Sequence, residues 1–208
     1  SAAWPGEIEQ MTGFFAISRA NATDQKGYII NNAGTLQGAE FSSATTAGNA
    51  ANKTKLVTNG TNFYLIWQRS SDSKVVLTLL PTTGTNYLTS MITPSTNSPY
   101  NLYLDGFCEN NVIAFITGTG GGTKSRLWIV NLDTRQLYSS SMTEIGDVAG
   151  TTNGGTFLRL LPAGDRSFVS YCDFSTASSL NLFAGKYGRT AISGIAKATA
   201  ALDASVPI

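Results

Sequence analysis

Histidine is absent from the 208 residues. That removes Ser-His-Asp and Cys-His catalysis and most catalytic zinc sites, all of which need an imidazole. Charge is scarce as well: 14 Lys and Arg stand against 13 Asp and Glu, 13% of the chain, for a net charge of +1. No basic stripe appears, so a nucleic-acid backbone finds little to hold electrostatically. No run reaches 18 apolar residues, so no helical membrane insertion is expected. Cys108 and Cys172 are the only cysteines. Two do not make a disulfide framework and their spacing fits no zinc pattern, so both are expected as buried free thiols. No twelve-residue window before residue 190 keeps a clean 3.6-residue period, which argues against helix there. A chain opening on Ser1 is expected to be processed or to be part of something longer.

What is present is apolar and rich in turn residues. Apolar residues make up 42% of the chain, with 21 Gly among many Ser, Thr and Asn, a composition for one sizeable core and many turns. Four short apolar runs stand out: FFAIS from Phe14, FYLIW from Phe63, VIAFI from Val112 and FVSYC from Phe168, spaced 49, 49 and 56 residues apart. Each is followed by a polar loop, a second apolar run (GYIIN, KVVLTLL, RLWIVN, LNLFAG) and a turn signal. Three are preceded by a further strand candidate and a tight turn, with Asn59-Gly60 and Ala163-Gly164-Asp165 supplying the positive φ that hairpins require. A period near 50 residues with three or four strands per unit is a repeat signature.

In FYLIW, Phe63, Leu65 and Trp67 face one way and Tyr64 and Ile66 the other, and both sets are large and apolar. Strands of this kind are central and covered on both faces. The reading is therefore an all-β fold of propeller-like antiparallel repeats over residues 1–189, with a β-sandwich as the competing architecture. Phe63, Trp67, Phe115, Trp128 and Phe168 are assigned to the core. The N-terminal unit has a weak outermost strand, and SAAWPGEIEQMT is open to two pairings: within its own unit, or with a later strand to close a ring.

Candidate chemistry is sparse. The glycine run Gly118–Ser125 ends in Lys-Ser, but Thr123 stands where a phosphate loop needs Gly, so the run reads as a hairpin loop. Asp105 and Glu109 flank an expected turn, Asp173 ends a central strand, and Asp133, Asp147 and Asp165 fall in expected loops. Opposed carboxylates on a cleft would suit glycoside cleavage, whereas singly they are solubilising turn residues. Neither Asp72 nor Asp133 lies in a calcium-loop pattern. No metal or cofactor is expected. Tyr87, Tyr100, Tyr103, Tyr138 and Tyr187 lie at strand ends or in loops among Ser, Thr and Asn, where tyrosine makes adaptable contacts to sugars or proteins or caps a β core.

Residues 190–208 are poor in large side chains. Ile192, Ile195, Thr199 and Leu202 fit a helical spacing, whereas Val206-Pro207-Ile208 disfavours helix. GIAKATAALDASVPI resembles a module common in structural proteins of tailed bacteriophages, a G-I-A strand, a small-residue loop and a short final strand. Gly194-Ile195-Ala196 and Ser205-Val206-Pro207-Ile208 match the two strands. Leu202-Asp203-Ala204 stands where that pattern often carries Gly. NGTNFYLIW (Asn59 to Trp67) and the closing glycine turns are similar to propeller-type repeats of virion proteins.

The resemblance implies a non-enzymatic tail-fibre, tail-tip or appendage component, located in the virion and assembled in the host cytoplasm. Its implied partners are other virion proteins and copies of itself, with a host surface glycan or receptor as a further candidate. Residues 190–208 would be a joining segment, docking through Ile192, Ile195, Leu202, Val206 and Ile208. The alternatives are a carbohydrate-binding module and a polysaccharide depolymerase using paired carboxylates.

Overall fold

A computed structural model describes residues 7–20, 25–42, 51–69, 75–82, 88–91, 103–118, 124–138, 143–147, 158–173 and 179–201. They form an all-β structure of four antiparallel sheets, each made of strands consecutive in sequence. Sheet 1 runs in order through β1 (Glu7–Met11), β2 (Phe14–Ala20), β3 (Gln25–Asn31) and β4 (Phe41–Ser42). Sheet 2 contains β5 (Ala51–Thr58), β6 (Phe63–Arg69), β7 (Val75–Leu80) and β8 (Leu88–Met91). Sheet 3 contains β9 (Tyr103–Glu109), β10 (Val112–Gly118) and β11 (Lys124–Asn131), whose outer edge pairs with both β12 (Gln136–Leu137) and β13 (Thr143–Asp147). Sheet 4 contains β14 (Leu158–Pro162), β15 (Ser167–Asp173), β16 (Ser179–Tyr187) and β17 (Ile192–Ala201).

The chain divides into two compact units, Ser1–Ser98 and Pro99–Ile208. Each has its own core. In the first, Met11, Ala16 and Ile29 of sheet 1 meet Leu56, Phe63, Leu65, Trp67 and Leu80 of sheet 2. In the second, Phe107, Ala114, Ile116, Leu127 and Ile129 of sheet 3 meet Leu160, Phe168 and Phe183 of sheet 4.

The repeat read from the sequence is the second strand of each sheet. Three of the four runs begin β2, β6 and β10, and Phe168 lies one residue inside β15. β2 and β15 are buried on one face only, with Val169 of β15 37% exposed, whereas β6 and β10 are buried on both faces, neighbours Leu65 and Ile66 being at 0% exposure, as are Phe115 and Ile116. The double burial of β6 and β10 follows from large apolar residues on both sides of the pleat. Trp67 and Trp128 are core, Trp67 donating Nε1–H to Thr78 Oγ1 at 3.0 Å and Trp128 lying 6.1 Å from the cross-strand Phe115 ring. The glycine run joins β10 to β11, Gly118 opposite Ser125, as a hairpin does.

Turn chemistry sets the register. Val112 pairs with Glu109 across a two-residue turn, Asn110-Asn111, with φ of 52° and 58°. That is the type I′ signature, in which asparagine tolerates the left-handed region. Sheets 1 and 3 also share an elaborate turn after their third strand. Asn31 Oδ1 accepts the N–H groups of Ala33 and Thr35 at 3.0 and 2.9 Å, and Asn131 Oδ1 accepts that of Asp133 at 3.0 Å. The next residues, Asn32 and Leu132, donate to Gly13 O and Asn111 O at 3.1 and 2.9 Å. Leu36 then bridges Ile30 as Leu137 pairs with Val130. In both sheets the outer strand is split, a short piece beside this turn and a second one farther along β3 or β11.

At the N-terminal end, Glu7–Met11 adopts the first of the two pairings open to its segment, with β2 of its own sheet. At the other end, Lys197–Ala201 is not a loop. Ile192–Ala201 is one strand paired along β16, with a register shift between Ala184 and Lys186. The helical spacing is overridden because β16 offers a full ladder of partners, a tertiary gain that local propensity does not report. Residues 202–208 lie outside the described residues.

Candidate functional site

In the second unit, turns from sheets 3 and 4 meet at one end. The Asn110-Asn111 turn, the turn after Asn131 and the turns flanking β15 and β17 bring together Glu109, Asn111, Asp133, Tyr187 and Arg189. Tyr187 donates its phenolic O–H to Glu109 Oε2, and Arg189 donates Nη1–H to Asp133 Oδ2. Asn111 Nδ2 donates to the other Asp133 oxygen at 3.0 Å, and the Tyr187 N–H donates to Arg166 O at 2.8 Å. The Tyr187 ring stands edge-on to Phe107 with centroids 5.3 Å apart.

Chemically this is a clasp. Hydrogen bonds to ionised groups are the stronger kind, and both carboxylates of the cluster have partners from another part of the unit. Tyr187 is 2% exposed, so it offers no ring face to a ligand. Its assignment as a binding tyrosine is therefore corrected: β16 runs on through Tyr187, and the side chain turns into the core with its hydroxyl satisfied by Glu109. Nothing in the sequence links residues 78 positions apart, and only the turn residues on either side hinted at them.

A second polar link lies deeper. Asp105, on a strand rather than beside a turn, is 3% exposed, and its Oδ2 accepts the Leu160 N–H at 2.9 Å. The first unit has a milder buried link between its two sheets, the Ser18 and Thr54 hydroxyls lying 3.5 Å apart.

Of the remaining candidates, Tyr138 is half-buried in the turn region after β12, its hydroxyl 3.5 Å from Thr134 Oγ1. The backbone of Tyr103 begins β9, but its side chain lies outside the described residues, as do Tyr87 and Tyr100 entirely. Asp165 is exposed and 3.6 Å from Lys186. Asp147 ends β13 instead of lying in a loop, and Asp173 ends β15 as expected. Asp72 lies outside the described residues. Cys108 is unpaired and half-buried, and burial pushes its thiol up to about 12. Among the joining residues, Ile192 packs against the core of its own unit. The side chain of Ile195, and Leu202, Val206 and Ile208 altogether, lie outside the described residues. Among the described residues no group of three His, Cys, Asp or Glu is arranged to hold a metal ion.

The outward faces of sheets 1 and 4 are the other conspicuous feature. Among the described residues, the large apolar side chains left exposed are Ile8 (69%), Leu36 (48%), Leu161 (53%) and Val169 (37%). Ile8 pairs with Ile17 on the face of sheet 1 opposite its core, and Leu36 bridges Ile30 on the same face. Leu161 and Val169 are direct cross-strand partners on the corresponding face of sheet 4.

No protein-family model and no curated protein matches the chain. Solved structures do. A structure titled "NanB plus Optactamide" is similar with a TM-score of 0.53 at 10% identity, over 80% of this chain and 26% of that one. An exo-beta-1,3-galactanase from Phanerochaete chrysosporium, solved with beta-1,3-galactotriose, has a TM-score of 0.50 at 10% identity, over 94% of this chain and 52% of that one. A DUF4623 family protein from Bacteroides eggerthii also has a TM-score of 0.50 at 10% identity, over 88% and 42%. The chain thus spans about a quarter to a half of the length of these structures, and what it shares with them is the all-β, repeated-sheet fold.

Proposed function

We propose that this chain is a non-enzymatic structural component of a tailed-bacteriophage virion, of the tail-fibre, tail-tip or appendage type, working through assembly with other subunits. The observation that carries the reading is the placement of exposed large apolar side chains on the outward faces of sheets 1 and 4, since apolar surface of this kind marks interaction sites. The sequence resemblance to the phage module supports it through Gly194-Ile195-Ala196, which lies in a strand as the module has it, and not through the loop, since Lys197–Ala201 continues that strand. So does the use of Glu109, Asp133 and Asp105 in contacts that hold sheets together. Mass spectrometry of purified particles is expected to find the chain at stoichiometric level, with antibody labelling on the tail. Its absence from clean particles would remove the reading.

A second reading, glycan binding, is favoured by Tyr138 standing half-buried beside the polar Thr134 and by the galactotriose in one of the similar structures. A glycan array on which Tyr138→Ala abolishes a signal would establish it, and silence would count against it. A depolymerase is the weaker variant, because Glu109 and Asp133 are already engaged; release of reducing ends from host capsule would reverse that ranking.

A further inference from the structure

Three turns of the second unit each carry an arginine, and hydrogen bonds join the turns. Arg135 lies between β11 and β12, Arg166 between β14 and β15, and Arg189 between β16 and β17. Arg189 donates to Asp133 of the first turn, and the Tyr187 N–H donates to Arg166 O at 2.8 Å. All three arginines are exposed.

Two of them stand where the backbone disfavours them. Arg135 has a φ of 55° and Arg166 of 53°, in the left-handed region that a side chain this large rarely enters. Sheet 1 shows the easier solution. In its matching turn Gly34, two residues before the bridging Leu36, has a φ of 77°, just as Arg135 stands two residues before Leu137. Glycine adopts that conformation without a steric penalty. No contact among the described residues offsets the penalty for the arginines. Glu109 accepts from Tyr187, Asp133 from Arg189 and Asn111, and Asp165 lies 3.6 Å from Lys186. The guanidinium groups of Arg135 and Arg166 are thus left to solvent, at a sterically disfavoured place, with their charge unused.

We infer that Arg135 and Arg166 bind the carboxylates of an acidic glycan at this end of the second unit. A guanidinium fork matches a carboxylate with two parallel hydrogen bonds. Thr134 adjoins Arg135, and its hydroxyl lies 3.5 Å from that of the half-buried Tyr138, so the same turn region offers a sugar both polar and aromatic contact. A nucleic acid fits less well, because a chain of net charge +1 without a basic stripe neutralises few phosphates. The inference rests on the glycan-binding reading and narrows it to sugars that carry uronic acids.

The test is isothermal titration calorimetry of the full chain with oligogalacturonate, oligomannuronate and hyaluronan oligomers, each beside its carboxyl methyl ester. The parent is expected to bind at least one of the acids and not its ester. Arg135→Gly and Arg166→Gly are each expected to weaken that binding about tenfold, the worth of one charge-assisted contact. Both should melt no lower than the parent, since glycine suits the backbone at each position. Arg159→Gln, at an exposed arginine in ordinary strand backbone, should bind as the parent does. A parent that binds none of the acids overturns the inference. So does equal binding of acid and ester, which would leave the glycan reading standing without its carboxylates. Single-stranded DNA bound as tightly as the sugars, or Arg159→Gln as damaging as the glycine variants, would reduce the contact to unspecific charge and overturn it too.

Discussion

The Asp105 carboxylate and the Leu160 backbone N–H, 55 residues apart in sequence and in different sheets, form a buried hydrogen bond of 2.9 Å. It ties β9 to β14 where an apolar contact would leave a strand amide unsatisfied. Removing one partner of a buried bond costs the desolvation of the other, and more so when a charge is involved. Asp105→Ala is accordingly expected to lower unfolding stability by about 2–3 kcal/mol, with Asp105→Asn costing less. Urea denaturation of both variants measures the difference.

Gly106 sits opposite Phe115, and a Cβ there would stand 2.8 Å from Ala114 O and 2.9 Å from Phe115 Cβ. Backbone cannot retreat as a flexible side chain can. Gly106→Ala should cost about 2 kcal/mol or more, in the range of an overpacked core. Gly60, at φ +85° in open space, provides the contrast. Gly60→Ala strains only the backbone and should cost about 1 kcal/mol. Thermal melts that rank Gly60→Ala as the worse of the two would contradict this packing.

Trp67 is 2% exposed and its indole N–H is satisfied by Thr78. Trp67→Ala is expected to cost about 3–5 kcal/mol as a large core deletion. Thr78→Val keeps the shape but orphans the N–H, for about 1–3 kcal/mol. Equilibrium unfolding of a double-mutant cycle should show the two effects to be non-additive.

Burial raises the Cys108 thiol from 9.0 to about 12. At pH 8 only about one molecule in ten thousand then carries the reactive thiolate. Iodoacetamide should label Cys108 in the native Cys172→Ser protein far more slowly than in urea. The same shift fixes the sign of a pH effect. Below pH 9.0 folding is indifferent to this group. Between 9.0 and about 12 the unfolded chain releases a proton that the folded chain keeps, so stability falls as pH rises through that window. Rapid labelling of the native protein at pH 8 would refute the assignment.

Deleting residues 192–208 removes β17 and the Ile192 contact with the core, and leaves β16 as an open edge. The shortened chain is expected to melt several degrees lower and to aggregate on concentration, since an unpaired edge templates further pairing. A shortened protein as stable and soluble as the parent would mean that β17 contributes nothing to its own sheet.

The repeat was readable because large side chains on both faces of a five-residue run, as in FYLIW, have few homes outside a doubly covered central strand. The hairpins were readable because Asn59-Gly60 and Ala163-Gly164-Asp165 announce positive φ; Gly60 and Gly164 adopt it, at 85° and 76°. The clasp was not readable. Tyr187 looked like a loop residue because a β-bulge, here between Ala184 and Lys186, carries no fixed residue pattern yet lets the strand continue. The strand character of Lys197–Ala201 was not readable for a related reason: alanines favour no structure strongly, so the partner strand, β16 of the same chain, decides.

The split outer strand of sheet 1 has a consequence for how this molecule tolerates change in length. Leu36 holds one anchor against Ile30, Phe41-Ser42 holds the other against Gly27 and Lys26, and Gly38 and Ala39 between them belong to no strand. Sheet 3 divides its outer strand at the corresponding place. Doubling the length of a flexible loop costs only about 0.6 kcal/mol, and here both anchors remain whatever is threaded between them. Each division is thus a permissive address, where evolution or an engineer can splice in a foreign peptide and have the surrounding sheet display it.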